Sequence, residues 1–136
     1  MANRKRRDCA AHAALYSAED EWARVEEQRV TVGITDFAQQ QLGDIVFVEL
    51  PAVGDVFAKG DTFGVIESVK AVSDLFAPVA GEILEVNTSL ADAPDTVNED
   101  CYGPGWLAVL QASDSAEIEA LMDAGAYAKY VAERDD

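Results

Sequence analysis

Apolar and polar positions along this chain fall into short runs, many alternating with a period of two, broken by Gly, Pro, Asp and Asn; this predicts strands in most places and helices in few. The densest such stretch runs from Phe63 to Glu82. Phe63, Val65 and Ile66 supply β-formers before Lys70, and Val72, Leu75, Phe76 and Val79 supply them after it, so the pattern predicts two strands folded about the lysine. Gly64 and Gly81 stand outside the pair, as bulges or close backbone approaches would. Pro78 has no N–H to give a ladder, so the returning strand is expected to end or lie at an edge there. Val69-Lys70 lacks the Gly or Asn that a two-residue primed turn requires. A wider, type I-based turn from Ser68 to Ala71 is expected instead, with Lys70 at its tip.

The remaining pattern is read the same way. Ser17 is placed to cap a short helical turn carrying Glu19, Asp20 and Glu21. Arg24-Val25 and Val30-Thr31-Val32 read as a hairpin around Glu26-Glu27-Gln28. Thr35 is placed to cap a helix from Asp36 to Leu42, with Gly43 as its left-handed stop. From Asp44 to Leu50 a strand puts Ile45, Phe47 and Glu49 on one face and Val46, Val48 and Leu50 on the other; both faces are mostly apolar, which predicts an interior position. Val56-Phe57, Glu82 to Asn87 and Trp106 to Leu110 complete the strands, and residues 88–105 form a long polar loop. Asp114 with Glu117 reads as a capping pair for a helix buried through Ile118, Leu121 and Met122. Gly125 is expected to break it, leaving Tyr127, Tyr130 and Val131 to dock a second turn. Short strands at close spacing predict a mainly β fold, a small sandwich or barrel.

At 136 residues the chain has room for one core, assigned to residues 16–136 with residues 1–15 as a flexible basic tail. Arg4-Lys5-Arg6-Arg7 is not followed by an apolar run, so the tail does not read as a secretory signal. The net charge is −16; setting aside Arg4, Lys5, Arg6, Arg7 and Asp8 leaves six basic against 25 acidic side chains, or −19. Such a chain lacks the basic surface that nucleic acid requires, and no apolar run approaches the length of a membrane span. Cys9 and Cys101 fall in no metal or redox spacing, and two lone thiols suit a reducing cytoplasm. His12, the only histidine, lies in the tail, which removes Ser/His/Asp and Cys/His catalysis; no catalytic residue and no metal ligand set is expected.

What stands out is Lys70 itself, one of six basic residues after position 7, flanked by Val69, Ala71 and Val72. An isolated amine on uncharged neighbours suits recognition by a modifying enzyme. The segment resembles the lipoate-attachment site of the glycine cleavage system H protein family, through Gly64, Glu67-Ser68-Val69-Lys70-Ala71, Ser73-Asp74, Ala77-Pro78 and Gly81-Glu82. The resemblance extends through Glu21-Trp22, Val32-Gly33-Ile34-Thr35-Asp36, the stretch from Gln41 to Pro51, Val97-Asn98 and Tyr102-Gly103-Pro104-Gly105-Trp106, covering about residues 16–131. Biotinyl domains typically set Met on both sides of the lysine, and lipoyl domains of 2-oxoacid dehydrogenases typically read Asp-Lys-Ala; Val69 and Ala71 fit neither biotin flank, and Val69 replaces the usual Asp of the second group.

The resemblance implies a barrel-sandwich hybrid of two antiparallel sheets with short flanking helices and a C-terminal helix. It implies that Lys70 carries lipoic acid as an amide, and that Glu67, Ser68, Val69, Ala71 and Ser73 are read by the lipoate- or octanoate-attaching enzyme. It further implies a non-catalytic shuttle. Glycine decarboxylase (P protein) would load the arm with an aminomethyl group, a tetrahydrofolate-dependent aminomethyltransferase (T protein) would unload it, and dihydrolipoamide dehydrogenase (L protein) would reoxidise it. The family holds the loaded arm near residues matching Glu21 and Asp74. Glu19 and Asp20 depart from the usual pattern before Glu-Trp, and Cys101 stands where Pro is usual. An H-like protein serving lipoate relay or another partner set is the alternative. A bacterial cytoplasm is the expected location, or a mitochondrion if the basic tail is a presequence remnant.

Overall fold

The computed structural model of the chain describes residues 14–135. Arg4 to Arg7, Cys9 and His12 lie outside them. Two antiparallel sheets enclose one core. The larger has six strands in the order β1-β2-β3-β9-β8-β5 and the smaller three in the order β4-β6-β7. The strands are β1 (Ala14–Tyr16), β2 (Glu21–Glu26), β3 (Arg29–Ile34), β4 (Ile45–Glu49), β5 (Val56–Phe57), β6 (Thr62–Ser68), β7 (Val72–Phe76), β8 (Gly81–Val86) and β9 (Ala108–Ala112). Helix α1 (Asp36–Leu42) links the sheets, α2 (Thr96–Glu99) lies in the long connection after β8, and α3 (Ser115–Glu119) and α4 (Ala124–Asp135) end the chain. The predicted mainly β hybrid with a C-terminal helix is the observed fold. Ala14 and Leu15, assigned from sequence to the tail, pair with Arg24 and Ala23 in the first hairpin.

The core follows the alternation. Val30 and Val32 of β3, Ile66 of β6, Leu75 of β7, Ile83 of β8 and Leu110 of β9 are all buried between the sheets. A second cluster joins Tyr16, Trp22 and Tyr127, the two tyrosine rings stacked 4.7 Å apart. Gly33 lies directly across from Trp22, and a Cβ there would stand 2.5 Å from the indole ring. Only a residue without a side chain lets the tryptophan lie over its partner strand. The indole N–H donates to the Cys101 carbonyl at 2.8 Å, pinning the long connection to β2.

Several local expectations are corrected by long-range partners. Ser17 caps no helix: residues 17–20 form the turn between β1 and β2, with Asp20 at φ 67° and the Ser17 hydroxyl accepting from the Glu21 N–H at 3.2 Å. Strand β4 is an edge strand, not an interior one, and a bulge between Ile45 and Phe47 breaks its alternation, so that Ile45 and Val48 are buried while Val46 and Phe47 face water. Glu117 closes no capping box with Asp114; its Oε1 accepts from the Ala80 N–H at 2.7 Å instead. Gly125 sits near the start of α4 and does not break a helix, because the predicted continuous helix is already interrupted where Met122 bridges to Tyr16.

Candidate functional site

Lys70 stands at the tip of the β6–β7 hairpin, whose ladder pairs Glu67 with Val72 and Ile66 with Ser73. The turn is closed by the Ser68 N–H donating to the Ala71 carbonyl at 2.8 Å. The reciprocal bond is made by a side chain: the Ser68 hydroxyl accepts from the Ala71 N–H at 3.0 Å. Neither Val69 nor Lys70 takes a positive φ. This is how a turn without glycine holds its shape, and it keeps the expected span from Ser68 to Ala71. The Val69 N–H donates to the Asp44 carbonyl at 3.1 Å, tying the tip to the start of β4.

The lysine side chain lies over the end of α1. Its Cε is 3.5 Å from where a Cβ would stand on Gly43. Helix α1 forms as the sequence indicates. Thr35 caps it through its hydroxyl, accepting from the Ala38 N–H at 3.2 Å, and Gly43 ends it at φ 81°, though with ψ −151°, outside the left-handed helical region.

Between α1 and β7 runs a cleft of about 150 Å³. Ala38, Gln41 and Leu42 line it from α1, Ser73, Asp74 and Leu75 from β7, Ile34 and Ile66 from the sheets, and Glu19, Asp20 and Glu21 from the first turn. Glu21 and Asp74, 53 positions apart in sequence, therefore share one cleft with the hairpin that presents Lys70. Asp74 is exposed, whereas Glu21 is only 1% accessible. The Phe76 N–H donates to Glu21 Oε2 at 2.7 Å and the Ser17 hydroxyl to Oε1 at 3.3 Å. Burial pushes the Glu21 carboxyl up to about 8, against the opposing effect of the Phe76 N–H. Three larger hollows, of 580, 440 and 320 Å³, contain no residue of the Lys70 hairpin.

Glu67, Ser68, Val69, Ala71 and Ser73 all lie on the hairpin, in different surroundings. Ser68 is committed to the turn, Ser73 faces the cleft, and Val69 is exposed. Sequence reasoning missed two residues that fix the cleft. Asn98 Oδ1 accepts from the Ile45 N–H at 2.8 Å while its Nδ2 donates to the Gly43 carbonyl at 2.8 Å and to Gln39 Oε1 at 2.9 Å. The Tyr127 hydroxyl donates to Asp20 Oδ1 at 2.9 Å and lies 2.7 Å from the Thr35 hydroxyl. No periodicity signals either residue; a polar side chain beside a buried Val97 and an aromatic on a polar helix were the available hints.

The family model described as glycine cleavage H-protein matches residues 14–134. The chain is 58% identical to the glycine cleavage system H protein of Anaeromyxobacter sp. (strain K) over 120 residues, 88% of this chain and 94% of that one. It is 50% identical to that of Carboxydothermus hydrogenoformans over 121 residues, 89% and 93% of the two chains. A crystal structure of a glycine cleavage system H protein from Mycobacterium marinum superposes with a TM-score of 0.80 at 38% identity, covering 92% of this chain and 98% of that one.

Proposed function

The chain belongs to the glycine cleavage H-protein family, the lipoyl carriers that move between the P, T and L proteins, and on that premise we propose that Lys70 is its lipoyl-attachment residue and that the cleft of Glu21 and Asp74 receives the arm. The observation that carries this reading is the placement of Lys70: exposed at a rigid turn, with its stem against Gly43 at the end of the helix that walls the cleft. Attachment makes Lys70 Nζ an amide nitrogen and lengthens the side chain to roughly a dozen bonds, well over 10 Å of reach at about 1.2 Å per bond. The lipoyl group supplies the dithiolane chemistry that takes up the aminomethyl group and returns to the disulfide.

The residues present fit such an arm. Ile34, Ala38, Leu42, Ile66 and Leu75 offer an apolar wall to an aliphatic chain, and Glu21 and Asp74 offer oxygen acceptors to a cationic end. Glu21 is buried among its own donors, with its carboxyl pushed up to about 8, so at neutral pH it holds its proton until a cation arrives. Pairing then favours the carboxylate and draws the proton off. Asp74 supplies an acceptor at the exposed side of the cleft.

The chain acts as a carrier without chemistry of its own, as one domain. Its partners are the other components of glycine cleavage and the enzyme that attaches lipoate or octanoate. Among the described residues no helix is long and apolar enough to cross a membrane. The relatives named above are bacterial, which supports the bacterial cytoplasm.

The test is intact mass and peptide mapping after incubation with lipoate ligase, lipoate and ATP. A single lipoyl adduct on Lys70 is expected; an adduct on Lys59 or Lys129 would overturn the assignment. Glycine-dependent activity with purified P, T and L proteins then separates this reading from one in which the modified chain serves lipoate relay alone.

A further inference from the structure

We propose that Val46, Phe47, Val69 and Val72 form the docking surface for the enzyme that attaches the lipoyl group to Lys70. This rests on the proposed role of Lys70 and adds to it a patch on a strand more than twenty residues away in sequence.

The patch is assembled by the bulge in β4. In a regular strand Val46 and Phe47 would point to opposite faces. Here two residues of β4 oppose one of β6 between the Ile45–Ser68 and Phe47–Glu67 pairs, and both side chains turn outward, at 53% and 47% exposure. The bulge interrupts a ladder and puts two large hydrophobic side chains in water, which folding alone does not favour. The register then sets Phe47, Glu67 and Val72 side by side across the three strands. Val69 at 71% and Val72 at 66% flank the lysine, and the Val69 N–H bond to the Asp44 carbonyl holds the turn against β4. The described chain exposes two other large hydrophobics, Val53 and Val56, and both lie outside this sheet.

Reach decides the partner. An unmodified lysine extends only about 6 Å from its backbone, so the attaching enzyme must press against the tip itself. Enzymes that use the lengthened arm meet its far end and need no contact there. In the attachment step the Nζ lone pair forms the amide bond as the carbonyl's bond to an adenylate oxygen breaks, and the amine proton passes to solvent. That exchange needs the tip held still in a dry pocket, which apolar anchors at the centre of a contact provide. Glu67 lies between Phe47 and Val72 in the register while Asp44, Glu49 and Asp74 border the patch, so the partner surface it fits sets basic residues among its apolar ones.

The experiment compares Phe47→Ser and Val72→Ser with Val53→Ser as the control of equal chemistry elsewhere. Lipoate ligase with ATP and lipoate is the probe. The two patch variants are expected to raise KM for the carrier about tenfold with kcat within about twofold, and to weaken calorimetric binding of the unmodified chain to the ligase in parallel. Val53→Ser is expected to match wild type. Patch variants driven to full modification with excess ligase should be reoxidised by L protein with wild-type kinetics. Patch variants modified as readily as wild type, or a Val53→Ser defect of equal size, would overturn the docking surface alone. A wild-type chain that accepts no lipoyl group at Lys70 would overturn the proposed function instead.

Discussion

A carboxyl as deeply buried as Glu21 ties folding to pH. Its ordinary value is 4.5 and burial raises it to about 8 in the folded chain. Below pH 4.5 both states hold the proton and the group's stabilising contribution is complete. Between 4.5 and 8 the unfolded chain ionises while the folded one does not, so stability falls with rising pH, by up to about 1.4 kcal/mol per unit. Urea midpoints of wild type minus Glu21→Gln should therefore decline from pH 5 to pH 8; a flat difference would show that Glu21 is ionised in the fold. The same variant tests the cleft. Losing a charge-assisted contact worth about 1.5–3 kcal/mol should make the loaded carrier release formaldehyde and ammonia about 10- to 100-fold faster once P protein is removed. Lipoylation should be unchanged. Lys70→Arg, by contrast, keeps the charge at an exposed tip and should keep the urea midpoint, yet take no lipoyl group. The placement of Lys70 at an exposed tip was legible because it is decided within one hairpin. The burial of Glu21 was not, because it depends on the Phe76 N–H, 55 residues away.

At the scale of elements, local chemistry was read well and cross-strand chemistry poorly. Thr35 caps α1 as its position indicates, and the Lys70 turn spans the four residues expected, because both are decided within a few positions. The bulge in β4 depends on its register with β6, and the Ser17 turn on the pairing of β1 with β2; neither partner is visible from one strand. Two substitutions probe elements joined this way. Asn98→Ala unties the end of α1 from the start of β4 and leaves the Ile45 N–H without its acceptor, at a cost of about 1–3 kcal/mol. Gly33→Ala drives a methyl into the Trp22 ring and should cost about 1–3 kcal/mol as overpacking. Urea unfolding measures both, and near-ultraviolet circular dichroism should show the Trp22 signal altered in Gly33→Ala alone.

For the molecule as a whole, charge and connectivity carry the consequences. Beyond the basic start of the chain the net charge is −19, a field that would draw the carrier toward any basic face of a partner until salt screens it. Raising ionic strength from 20 to about 200 mM, which shortens the screening length below about 10 Å, should raise KM for this carrier with P protein more than it lowers kcat. An unchanged KM would confine the acidity to solubility. Connectivity acts through Tyr127, which ties α4 to Asp20 on one lip of the cleft and to Thr35 at the head of its helical wall, 107 and 92 residues away. Trimming the final helix would remove that tie, and with it the Tyr127 ring stacked on Tyr16, while leaving the ladder of the Lys70 hairpin in place. On the proposed reading of the cleft, a carrier so trimmed is expected to release more formaldehyde per glycine consumed in an assay with P, T and L proteins, and an unchanged ratio would show that the tie does not bear on the arm. The final helix would then govern coupling: its loss should let the pathway run and leak.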